Sequence, residues 1–77
     1  METQQLKGFV AVAKYGSFSQ AAEKTFRTQP AITLQVQSLE KELGVKLFDR
    51  LGPKKITLTS EGEILFNIAS EIGRAHV

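Results

Sequence analysis

Between Thr28 and Lys41 the chain spaces short hydrogen-bonding side chains at helical intervals. A helix advances by about 100° per residue. On such a helix Pro30, Leu34, Gln37 and Lys41 share one face, flanked by Thr33 and Ser38, while Ile32, Val36, Leu39 and Leu43 form the opposite, apolar stripe. The outer face holds no acidic side chain, and Glu40 and Glu42 fall on its flanks. This chemistry matches the edges of base pairs. The major groove of double-stranded DNA admits one α-helix and displays donors, acceptors and thymine methyls. Glutamine can pair bidentately with adenine, and threonine can meet a base edge or a thymine methyl. The N-terminal part of a groove-reading helix reaches furthest in, which favours Gln29, Pro30, Thr33 and Leu34 over Lys41. Leu34 is apolar on the side away from the core. It reads either as an ordinary exposed leucine or as a thymine-methyl contact.

Three cations, Arg50, Lys54 and Lys55, surround Gly52-Pro53. Each alone reads as part of a solvated turn; together, beside a groove-reading helix, they suit phosphate or minor-groove contact. Thr28 closes a helix start, and the same helix end offers a positive dipole and free donors to a phosphate oxygen. The chain is poor in the groups of catalysis. There is no cysteine, so disulfides, thiolate metal sites and thiol nucleophiles are excluded together. The one histidine, His76, stands next to the last residue. No Ser/His/Asp set, metal cluster or phosphate loop is recognisable, and Glu40 and Glu42, two apart on a helix, do not face each other. The sequence therefore predicts a binding module that is not an enzyme and carries no cofactor.

The elements that must position these residues follow from spacing and caps. Thr3 can cap a first helix with Leu6, Phe9, Val10 and Ala13 on one face, and Gly16 ends it. Ser17-Phe18-Ser19-Gln20 fits a capping box for a short second helix, with Phe18, Ala21, Ala22 and Phe26 as its apolar positions. That helix should end near Thr25 or Phe26. Thr28 caps the third helix, with Pro30 in its first turn, and Gly44 stops it after Leu43. Val45–Arg50 and Lys54–Leu58 read as two short strands about the Leu51-Gly52-Pro53 turn. Thr59 caps a last helix, with Ser60 and Glu63 as an alternative box. Leu65, Ile68, Ala69 and Ile72 form one face of it, widened by Ile64 and Phe66. A helix apolar on more than one side wants a second partner. The fold class expected is mainly α: a winged helix-turn-helix of three helices and a two-stranded wing, followed by a linker helix.

Length and charge agree. Seventy-seven residues are enough for one small domain but rarely for a core and a deep pocket together. Residues 1–58 carry nine Lys/Arg against five Asp/Glu, a net +4, and residues 59–77 one Arg against three Glu, a net −2. A mildly basic body suits an acidic partner, although ordinary surface charge explains it as well. No run of eighteen apolar residues exists, and the polar, acidic start Met1–Gln5 lacks the pattern of a secretory leader. The expected setting is cytoplasmic and nucleoid-associated, with no membrane contact.

The stretch SFSQAAEKTFRTQPAITLQVQSLEKELGVKLFDR, residues 17–50, resembles the DNA-binding region of LysR-type transcriptional regulators, and the likeness extends through QQLKGFVAVAKYG upstream and ITLTSEGE downstream. The resemblance implies that residues 1–58 are the winged helix-turn-helix and that 59–77 begin a linker helix whose pairing makes a homodimer. It further implies a dyad DNA site near a promoter and a small-molecule effector bound only by a further domain of a full-length protein. Carried over by position, recognition contacts fall on Thr28, Gln29, Pro30, Thr33 and Leu34, with Arg50, Lys54 and Lys55 on the backbone or minor groove; the helical face itself adds Gln37 and Ser38 as candidates for base edges or phosphates. The wide apolar surface of residues 64–72 makes Leu65, Ile68 and Ile72 the expected dimer contacts. Many members of the family place an arginine at the position of Leu34, so guanine recognition at that step is not expected here. A winged-helix module that binds only protein is the alternative reading.

Overall fold

The computed structural model describes residues 2–50 and 56–75, with the side chains of residues 72–75 excepted. Helix α1 spans Thr3–Tyr15, α2 Phe18–Lys24, α3 Gln29–Leu43 and α4 Ser60–Ala75; strands β1 (Phe48–Arg50) and β2 (Ile56–Leu58) stand between α3 and α4.

The helix ends follow local chemistry. Glu2, one residue before Thr3, is the cap of α1, and its N–H donates to Gln5 Oε1 at 3.0 Å. Gly16 closes α1 in the left-handed region at φ 67°, where its N–H reaches the Val12 carbonyl at 2.8 Å. Ser17 Oγ accepts from the Gln20 N–H at 3.2 Å and starts α2 at once. Thr28 Oγ1 does the same for α3, accepting from the Ala31 N–H at 3.3 Å, and Pro30 sits in the first turn. Thr59 Oγ1 accepts from the Gly62 N–H at 3.0 Å and donates to the Lys46 carbonyl at 2.6 Å, so it caps α4 and ties it to the chain before β1.

The core lies where α1, α2 and α3 meet under the sheet. Phe9, Val12, Ile32, Val36, Leu39 and Leu47 are its largest fully buried side chains. Each such side chain contributes about 1.5–3 kcal/mol by leaving water. Ala21 and Ala22 are also buried, and their small size lets α1 and α3 close on α2. Phe48 joins sheet to helices: its ring meets Phe9 at 5.4 Å and Phe18, edge-on, at 5.9 Å. Strands β1 and β2 pair antiparallel, Phe48 with Leu58, Asp49 with Thr57 and Arg50 with Ile56.

Besides the cap of α1, which falls on Glu2 and not on Thr3 as expected, three expectations are corrected. Phe26 is not an apolar position of α2 but stands 96% exposed at φ 58°. The Thr25 hydroxyl bonds back to the Ala21 carbonyl at 2.7 Å, and the Arg27 N–H turns back to Ala22 O at 2.8 Å. Phe26 takes the left-handed step between these bonds and is carried out of the core. Leu43, assigned to the buried stripe of α3, is 41% exposed at the helix end. The first strand begins at Phe48 rather than Val45. The Val45 N–H goes to Glu40 O at 3.2 Å, the Leu47 N–H to Glu40 Oε2 at 2.7 Å, and the Leu47 carbonyl to the Thr59 N–H at 3.0 Å. Those groups are spent on α3 and α4, not on a strand partner. Of the second expected strand, Lys54 and Lys55 lie outside the described residues, and pairing runs over Ile56–Leu58.

Candidate nucleic-acid interface

Helix α3 buries Ile32, Val36 and Leu39 and turns its other side outward. Gln29, Pro30, Leu34, Gln37, Ser38 and Lys41 are exposed, and Thr33 is half-buried on the flank. The face expected to read bases is thus presented as one surface. Leu34 is 63% exposed, so its apolar side chain is available to a partner. At the start of α3 the Ala31 N–H is taken by Thr28 Oγ1 and Pro30 has none. The Gln29 N–H belongs to the first turn, whose N–H groups have no acceptor within the helix.

Arg50 lies across a cleft of about 460 Å³ from the recognition face, in a lining shared by Thr33, Gln37, Lys46 and Asp49. Its guanidinium carbon stands 5.3 Å from the centroid of the Phe18 ring. A cation over an aromatic face is attracted electrostatically, so the Phe18 ring favours this placement of the guanidinium beside the recognition face. The sheet sets its height, since Arg50 pairs with Ile56 at the end of β1. Sequence reasoning assigned Phe18 to the core and passed over Lys46. The structure gives Phe18 a second role beneath Arg50 and puts Lys46 beside Gln37. The signal for Lys46 was its position two residues beyond Gly44, where the chain turns back along α3. Glu40 lines the same cleft, with Oε2 engaged by the Leu47 N–H. Lys54 and Lys55 lie outside the described residues.

Helix α4 meets its own domain through Leu65 and Phe66, both partly buried against the core. Ile64 and Ile68, four apart on another side, are 62% and 51% exposed. Leu65, grouped with Ile68 from the sequence, lies on the side partly packed against the core, whereas Ile64 shares the exposed side with Ile68. The side chain of Ile72 lies outside the described set. Among the described residues no group of three or more His, Cys, Asp or Glu could hold a metal ion, and no helix is long and apolar enough to cross a membrane.

A family model described as "Bacterial regulatory helix-turn-helix protein, lysR family" matches residues 3–63. The chain is 44% identical over 71 residues to the RuBisCO operon transcriptional regulator of Allochromatium vinosum, covering 92% of this chain and 23% of that protein. It is 42% identical over 72 residues to the HTH-type transcriptional regulator TfdT of Cupriavidus pinatubonensis, covering 94% of this chain and 31% of that protein. The chain thus spans less than a third of the length of these two relatives. Among solved structures, the crystal structure of the CbnR DBD-DNA complex superposes with a TM-score of 0.89 at 41% identity over 99% of this chain and 86% of that one. The BenM DBD/benA site 1 DNA complex superposes at 0.89 with 37% identity, over 97% and 83% of the two chains.

Proposed function

We propose a DNA-reading function for this chain, which belongs to the lysR family of bacterial regulatory helix-turn-helix proteins. It binds double-stranded DNA with sequence specificity as the winged helix-turn-helix of a transcriptional regulator. The observation that carries the reading is the outer face of α3: exposed, hydrogen-bonding, free of acidic side chains, and bordered by an arginine over the Phe18 ring. Such a face fits the major groove, where side chains of this kind meet base edges while cations engage phosphates. The similar domains solved on DNA support it. They lend nothing to a protein-only module.

Residues 1–58 serve as the DNA-binding unit and 59–77 as the start of a linker and dimerisation helix. Gln29, Pro30, Thr33 and Leu34 enter deepest, Gln37 and Ser38 contact the groove's rim, and Thr28 with the Gln29 N–H anchors a phosphate. Arg50, with Lys54 and Lys55, engages the backbone or minor groove. Two copies pair through the exposed side of α4, at Ile64 and Ile68, with Ile72 one turn on, and read a two-fold site. An effector belongs to a longer protein of which this is the DNA-reading part, and the setting is the bacterial cytoplasm at the nucleoid.

Selection of bound sequences from a random duplex pool at controlled salt tests the reading. The expected product is an enriched motif with two related half-sites about one helical turn or a multiple apart, bound less tightly as salt rises. A pool that stays unenriched, with no salt-dependent retention, overturns it.

A further inference from the structure

A helix seated in the major groove has a phosphate strand along each of its flanks. One flank of α3, at Thr33 and Gln37, borders the cleft with Arg50. The other flank, at Gln35, borders a second and smaller cleft of about 220 Å³ between α3, the first half of α1 and the α2–α3 turn. Gln4, Lys7, Thr25 and Arg27 line it, and no carboxylate does. Neither Arg27 nor Lys7 has a place in the reading above.

We infer that Arg27, together with Lys7, is a second backbone clamp that seats a DNA phosphate on the flank of α3 opposite Arg50. The inference rests on the DNA-reading function just proposed. Arg27 stands directly before Thr28, the cap of the helix end that enters the groove. Its backbone is pinned by the bond from its N–H to Ala22 O at 2.8 Å. Its guanidinium Nη2 donates to Gln4 Oε1 at 2.7 Å, which fixes one side of the fork without neutralising its charge. The remaining guanidinium donors have the fork geometry that suits phosphate oxygens. Lys7 is one helical turn beyond Gln4 on α1, so it adds a second positive charge to the same cleft. The buried Gln35 Oε1, which has no hydrogen-bond partner, lies against Gly8 under the α1 backbone. An anion offers it no donor, so it takes no part.

A tether between α1 and the turn is the competing explanation for the Arg27–Gln4 bond, and the salt response separates the two. Binding is measured for the chain and for R27Q, K7Q and R27K on the selected duplex and on an unrelated one across a salt series. A lost phosphate contact lowers the slope of log affinity against log salt by about one unit. R27Q is expected to show that drop equally on both duplexes, K7Q a drop of the same sign, and R27K, which keeps the charge and guards against misfolding of R27Q, the parent slope. A scan of single neutral methylphosphonates along the half-site should then find one position that weakens the parent and leaves R27Q unaffected. Parent-like slopes in both R27Q and K7Q, or a scan in which every position weakens R27Q as it does the parent, overturn the clamp while leaving the DNA-reading function standing. No salt-dependent duplex binding by the parent overturns both.

Discussion

Helices α3 and α4 begin alike, each on a threonine cap, and each buries one side against the same core. Their outer sides differ. That of α3 offers amides, hydroxyls, a lysine and one leucine, whereas that of α4 sets the apolar pair Ile64 and Ile68 among exposed glutamates. A polar, acid-free face loses little by facing water and gains where a partner supplies hydrogen bonds and negative charge. An apolar pair loses by facing water and gains only where a partner removes it. One fold thus exposes two surfaces with opposite requirements, and the helices can be broken separately.

The largest effect is expected at α4. If Ile64 and Ile68 are covered in the dimer, I64E/I68E removes about 3 kcal/mol or more of association, on the order of a hundredfold in dimer affinity. Sedimentation should report a monomer, and affinity for a two-fold site should fall while affinity for a half-site holds. An unchanged mass would place the dimer face elsewhere. Next in size is G62A, which attacks the inner side of the same helix. Gly62 is buried, and a Cβ there would run into the Leu47 carbonyl oxygen and crowd Leu58 Cδ2. That carbonyl also holds the Thr59 N–H at 3.0 Å, so backbone must shift. The expected cost is about 1–3 kcal/mol, seen as a melting point lower by roughly 4–8 °C per kcal/mol. An unmoved melting curve would show that α4 is not seated through this contact.

The contrast also marks how far the sequence could be read. Ser17, Thr28, Thr59, Gly16 and Gly44 act within four residues of themselves, so their types alone located the starts of α2, α3 and α4 and the ends of α1 and α3. The outer face of α3 was legible for the same reason, because helical periodicity is local. That Leu65 packs partly against its own core was not legible, because which stripe of α4 turns inward depends on where the sheet lies, and the sequence of α4 holds no record of that. Val45–Leu47 alternates like a strand, but its hydrogen bonds are claimed by Glu40 and Thr59, seven and twelve residues from Leu47. Arg27 gave no sign of its role in the sequence, since its partner Gln4 lies 23 residues away.

Phe26 sharpens the comparison from the hinge between α2 and α3. A left-handed conformation costs a non-glycine residue about 1–2 kcal/mol, and a ring 96% exposed at φ 58° returns almost no burial. F26G should therefore stabilise the chain by about 1 kcal/mol, raising the melting point by roughly 4–8 °C. Duplex affinity should stay level, since the turn keeps its shape and α3 its face. A lower melting point would mean that the ring contributes contacts which its exposure does not reveal.

The smallest effect asks whether the outer face of α3 is polar throughout or carries one apolar probe. Leu34 is 63% exposed, with Pro30 and Gln37 on the same side of the helix. If its methyl groups meet a thymine methyl, the contact buries about one methyl's worth of surface, roughly 0.8 kcal/mol or a fourfold preference. Replacing thymine by uracil removes that methyl and alters no hydrogen-bonding edge. The parent chain should then lose affinity at one step of the site. L34N, which keeps a similar length but cannot make the apolar contact, should lose nothing there. Because the two duplexes differ by a single methyl, phosphate contacts and salt cancel in the ratio. Equal discrimination by the parent and L34N would return Leu34 to the class of ordinary exposed leucines and leave base reading to Gln29, Thr33 and Gln37.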